Sequence, residues 1–128
     1  MQGSTKISTL ISEAEQKRLQ ARFFKSDSGR EPVREWIQSF SRPDMKAIGG
    51  AIAEVQLGWP IGMPLVRKMD TDLWEVRIHM SDKRIARVLF TLVKGEIILL
   101  HGFVKKSQST PAGELKTAKD RLKQVKGG

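Results

Sequence analysis

Apolar residues fall at helical spacing in the first half of the chain and at strand spacing in the second. Val33, Trp36, Ile37 and Phe40 follow Pro32 at i, i+3, i+4 and i+7, which predicts a helix with one buried stripe and proline in its first turn. Met45, Ile48, Ile52 and Val55 form a second stripe after Ser41, Pro43 and Asp44, ending before Gly58. The two helices are expected to pack as a hairpin. Gly49-Gly50 interrupts the second, which implies either a weak helix or another backbone passing close by. Before them, Gln20 to Lys25 holds Phe23 and Phe24 and stops at Ser26-Asp27-Ser28-Gly29, which predicts a first strand.

Beyond the Trp59-Pro60 and Met63-Pro64 loop the period becomes two. Trp74, Val76, Ile78 and Met80 share one face of a strand over residues 73–80, and Glu75, Arg77 and His79 the other. Strands over 84–94 and 96–106 follow, joined by a hairpin turn at Lys94-Gly95. Ile97 to Leu100 is apolar on both faces and predicts an inner strand. Residues 111–125 read as a basic amphipathic helix, with Leu115, Ala118 and Leu122 on one side and Lys116, Lys119, Lys123 and Lys126 around the rest. The order strand, helix, helix, three strands, helix predicts one α+β domain over residues 20–128. Residues 1–19, with Ile7, Leu10, Ile11 and Ala14 at helical spacing, form an extension that either folds as a short helix or stays disordered.

Length and composition narrow the function. At 128 residues the chain holds one domain. With no cysteine and two histidines, disulfide scaffolds, thiolate sites and cysteine nucleophiles are excluded, and no metal or other cofactor is expected. The longest apolar run is too short to span a bilayer, so the expectation is a soluble, cytoplasmic protein with no membrane partner. Lys and Arg number 23 against 14 Asp and Glu, a net charge of +9. Seven of those nine surplus charges lie from residue 66 onward, where a polyanion-binding surface is expected. A solvating role for the lysines is the plain alternative.

No nucleophile elbow, Walker loop or paired carboxylate is present, so the candidate chemistry is cationic. Arg67 and Lys68 precede the second predicted strand, Arg77 lies within it, Arg84 and Arg87 on the third, His101 on the fourth, and Lys105-Lys106 at its end. Cleavage of RNA by its own 2′-hydroxyl requires a proton acceptor, a proton donor and fixed positive charge around the phosphate. Crowded, partly desolvated cations meet this requirement when a lysine pKa is lowered. Against that reading, Glu75 can form a structural ion pair with Arg77 or Arg87, and Trp36 and Trp74 read as core. Whether these cations share a face depends on hairpin registers, because a slip of one residue reverses every side chain.

The segments Leu73-Trp74-Glu75-Val76-Arg77, Arg87-Val88-Leu89-Phe90 and Leu99-Leu100-His101-Gly102-Phe103-Val104-Lys105-Lys106-Ser107-Gln108-Ser109-Thr110-Pro111 resemble the HigB-type branch of the RelE/ParE toxin superfamily, which includes phage-derived toxin-like proteins. Glu31-Pro32-Val33, Glu114, Ala118 and Arg121 extend the resemblance over roughly residues 20–125. It implies a small antiparallel sheet with two N-terminal helices and a C-terminal helix, and a type II toxin that cuts messenger RNA in the ribosomal A site without a metal. It also implies a cognate antitoxin, a helix-turn-helix protein similar to HigA and the Xre repressors, with the ribosome and mRNA as further partners. By the resemblance Lys68, Arg77, Arg87, His101 and Lys105 are the catalytic set. Arg67, Arg84, Phe103, Lys106, Lys116 and Lys119 form the RNA-binding set, with Phe103 stacking on or supporting a base. RelE has an active-site tyrosine and this chain has none, so proton transfer falls to Lys, Arg or His. The same fold also carries gyrase inhibition of the ParE kind or non-catalytic nucleic-acid binding.

Overall fold

A computed structural model describes residues 19–105 and 109–127. The extension before Leu19, and Lys106, lie outside the described residues. The elements are β1 (Gln20–Phe23), α1 (Pro32–Gln38), α2 (Arg42–Gly58), β2 (Val66–Asp70), β3 (Leu73–His79), β4 (Ile85–Val93), β5 (Glu96–Val104) and α3 (Ala112–Gly127). The strands form one sheet in the order β1-β5-β4-β3-β2. The architecture is the α+β arrangement expected, with two departures.

The sheet has five strands where four were expected, and it is mixed. β2, in the stretch that precedes the second predicted strand, is an exposed edge strand pairing antiparallel with β3. Only Val66 of its five residues is buried, so it lacks the alternation that marks a half-buried strand. β1 runs parallel to β5, a long-range pairing that no local pattern encodes. β5 lies inside the sheet as its double-sided apolar run predicts.

Each face of the sheet is covered. Val33 of α1 and Ile48, Ile52 and Val55 of α2 pack with Val76, Ile78, Val88, Phe90 and Leu99 on one face. Ala118 and Leu122 of α3 pack with Leu73, Leu89, Ile98, Leu100 and Phe103 on the other. Burying each such side chain stabilises the fold by roughly 1.5–3 kcal/mol. α1 and α2 dock mainly on the sheet, α1 over β5 and α2 over β3.

The glycine pair in α2 has open space around it, so of the two alternatives the sequence offers for it the close backbone approach is not the one found. That contact occurs at Gly102 instead. A Cβ there would stand 2.9 Å from Trp36 Cη2 and closer still to two other ring carbons, so only glycine lets α1 seat its indole on β5. At the β4–β5 turn Lys94 and Gly95 have φ of 49° and 79°, the left-handed pair of a type I′ hairpin. Ser41 makes no side-chain cap to α2. Asp44 is buried instead against the β3–β4 connection, where its carboxylate accepts from the Ser81 amide at 3.0 Å and hydroxyl at 2.9 Å and pairs with Arg84. Among the described residues, no helix is long and apolar enough to cross a membrane.

One irregularity decides which side chains meet. Leu89 pairs with His101 but Phe90 pairs with Leu99, leaving Leu100 as an extra residue in β5. This bulge reverses the alternation beyond it. Leu99 faces the α1–α2 core while Leu100 joins the α3 core. His101 and Phe103 thereby face α3, with Gly102 pointing the other way onto Trp36.

Candidate active site

The face of β3 that carries Glu75 and Arg77 meets β4 with Arg77 opposite Arg87 and Glu75 opposite Leu89. Arg87 is in turn opposite Phe103, and the Lys105 amide donates to Ile85 O at 2.7 Å. Arg67 on β2 stands opposite Glu75. These registers gather Arg67, Arg77, Arg87 and Lys105 around a cleft of about 180 Å³, with Glu75 among them and Met63, Pro64 and Leu65 as an apolar wall. Four cations share it with one carboxylate, so the cleft attracts anions.

Its floor is an ion pair. Glu75 is 1% exposed and Arg87 7%, and the two are paired through Glu75 Oε1 and Arg87 Nη1. The other Glu75 oxygen accepts from the Thr110 hydroxyl at 2.6 Å, so the carboxylate is fixed at both ends. The ion-pair alternative raised by the sequence is thus correct for Glu75 with Arg87, and Arg77 is left over. Among the described residues, the Nε–H groups of Arg77 and Arg87 are buried without a hydrogen-bond partner. A buried, unsatisfied charged donor is costly, and an acceptor of opposite charge in the cleft would offset that cost. Burial, and then the neighbouring Arg87 and Arg77, hold the Lys105 pKa below the ordinary lysine value, with Glu75 partly opposing them.

His101 shares this face but does not line the cleft. Its ring stacks on Phe103 with centroids 6.0 Å apart. Nδ1 lies 3.4 Å from Arg121 Nη1, which also donates to Leu100 O at 2.8 Å, and Nε2 lies 3.3 Å from Glu114 Oε1. Arginine can only donate, so the ring proton is assigned to Nε2, toward the carboxylate. Burial lowers the His101 pKa, with Glu114 opposing and Arg121 adding to the fall.

The other expected site residues are dispersed. Lys68 lies on the opposite sheet face, its ammonium 6.0 Å above the Trp74 ring, because it is one residue out of phase with Arg67. Arg84 is held at the β3–β4 connection by Asp44. On α3, Lys116 pairs with Asp120 of the same helix and Lys119 with Asp70 at the end of β2, each at 2.8 Å. Phe103 is 7% exposed and part of the α3 core, so no base can stack on it as expected; it supports His101 instead. Lys106 is outside the described residues. Glu75 and Thr110 are site residues that the sequence does not single out as such. The signal for Glu75 was an acidic residue between apolar neighbours in register with a cation. Among the described residues no three His, Asp or Glu side chains converge as metal ligands would.

Residues 35–123 match the family described as phage-derived protein Gp49-like (DUF891). The match spans β2 to β5, all four cleft cations and most of α3. No curated protein matches the chain.

Proposed function

The chain belongs to the Gp49-like family of phage-derived proteins, a toxin-like family of the RelE kind, and on that premise we propose that it is the HigB-type toxin of a type II pair, a metal-independent endoribonuclease acting on messenger RNA in the ribosome. The observation that carries this reading is that Arg77 and Arg87, opposite each other in β3 and β4, line one cationic cleft with Arg67 and Lys105, and that each has a buried Nε–H without a partner among the described residues. In this reading the two guanidinium groups donate to the phosphate oxygens and stabilise the charge that develops there.

The chemistry follows from the remaining groups. The neutral amine of Lys105, favoured by its lowered pKa, takes the proton of the 2′-hydroxyl. The 2′-oxygen bonds to phosphorus, the bond from phosphorus to the 5′-oxygen breaks, and the Lys105 ammonium so formed gives its proton to that leaving oxygen. The products are a 2′,3′-cyclic phosphate and a 5′-hydroxyl. Glu75 keeps Arg87 in place, and Thr110 keeps Glu75 in place. A toxin-like protein implies an antitoxin, and the resemblance makes that partner an Xre-type helix-turn-helix protein.

The test is primer extension in cells making the protein, on a translated message and on the same message with its start codon destroyed. Cuts confined to the translated message, and absent with Lys105→Ala and Arg77→Ala at equal expression, are the expected result. Growth arrest with both messages intact refutes the reading and moves the target to gyrase. Cuts in both messages keep the nuclease and remove the ribosome.

A further inference from the structure

Phosphate contacts hold a nucleic acid in register but carry no sequence information. Single-stranded RNA is read where unstacked bases find a surface to pack on. The chain has no tyrosine, and all five phenylalanines and three tryptophans pack in or against the two cores, none lining the cleft. The apolar surface that remains at the cleft is Met63, Pro64 and Leu65.

Met63 stands out on this wall because it is 76% exposed. Single exposed apolar residues are ordinary, and Leu57, 69% exposed on α2, is one. What distinguishes Met63 is its place beside Arg67, Arg77 and Lys105. Its loop is also anchored to the site. The Val66 amide donates to Gly62 O at 3.1 Å, and the Arg77 amide to Leu65 O at 2.8 Å. The residue whose guanidinium faces the cleft therefore fixes, through its backbone, the segment that presents Met63. A thioether is polarizable, unbranched and able to lie against an aromatic ring of either size.

We propose that Met63 is the packing surface for the base next to the scissile phosphate and that it sets which nucleotides are accepted at the cut. This rests on the RNA-cleaving reading of the same cleft. The test compares the wild type with Met63→Ala and Met63→Phe, at equal expression and matched melting temperature, by sequencing the 5′ ends of cut, translated messages. Met63→Ala is expected to lower cutting about tenfold, the lower range for loss of one stacked base, and to flatten the base preference at the cut. Met63→Phe, which restores a flat apolar surface, is expected to keep both. Identical cut positions and frequencies in the wild type and Met63→Ala overturn the proposal while leaving the nuclease reading intact. Met63→Ala with unchanged cutting but lost neutralisation by the antitoxin overturns it too, assigning the side chain to a protein contact. Failure of the underlying reading shows separately, as an absence of cuts in the wild type, and removes both.

Discussion

Replacing Glu75 by Gln removes one negative charge from the floor of the cleft and almost no volume. Gln keeps an oxygen that can accept from Thr110 or from Arg87, so the geometry of the floor survives and the charge does not. Arg87, 7% exposed, is then a buried cation without a counter-charge, facing Arg77 across the β3–β4 pair. Breaking a buried ion pair by removing one partner costs roughly 3–5 kcal/mol, and the surviving acceptor places this variant near the lower end, about 3 kcal/mol. For a domain of this length that corresponds to a fall in melting temperature of about 12 °C. Calorimetry at neutral pH measures it. The double variant Glu75→Gln/Arg87→Met, which removes the stranded cation, should recover most of the loss. The same substitution acts on Lys105. Glu75 raises the Lys105 pKa against the lowering by burial, Arg87 and Arg77, so its removal lowers that pKa further and moves the rising limb of the pH–cleavage profile to lower pH. A melting temperature within 3 °C of wild type would refute the charge compensation assigned to Glu75 (about 0.7 kcal/mol on the same scale). A limb displaced upward would refute Lys105 as the proton acceptor.

Three further outcomes follow from the geometry. Gly102→Ala should destabilise the protein by at least about 1–3 kcal/mol, the cost of overpacking, because its Cβ would overlap the Trp36 ring; Gly49→Ala, with open space around it, should be neutral or stabilising in the same chemical denaturation series. His101 is held neutral by burial, so its folded pKa lies below the usual 6.5; the unfolded chain takes up the proton first as pH falls, and stability is lost from about pH 6.5 down to the folded pKa and then levels off. His101→Gln should flatten denaturation midpoints across that window, and an unchanged slope would reject the assignment. Lys68→Ala should cut translated messages as the wild type does, since Lys68 lies over Trp74 on the far face; loss of cutting with the fold intact would show that the cleft is not the whole site.

Much of the architecture was legible because burial writes itself as a period. Val33, Trp36, Ile37 and Phe40 marked α1, and Lys94-Gly95 marked the hairpin that joins β4 to β5. β2 was illegible because an edge strand with one buried residue has no stripe to read. The parallel pairing of β1 with β5 joins residues far apart in sequence, so no window contains it. At the site, Arg77 and Arg87 were found as candidates, but their adjacency came from register. Lys68 was lost through strand parity and His101 was turned toward α3 by the bulge at Leu100. That Phe103 is buried in the α3 core cannot be seen in the chain, where it reads as one more ring among the cations. Thr110 acquires its role only through contact with Glu75 across the molecule.

The pairing of the first strand with the last has a consequence for how the molecule comes into being. β1 can be completed only when β5 has been made, since Gln20 to Phe23 pair with Glu96 to Leu99. The chain is synthesised from its N-terminus, and contacts so distant in sequence close late and slowly. A growing chain that has reached Val93 already holds three of the cleft's cations but neither Lys105 nor Thr110. The same few residues that finish the sheet finish the cleft. A chain that stops at Val93 therefore lacks both the strand that completes the sheet and the residues that close the cleft.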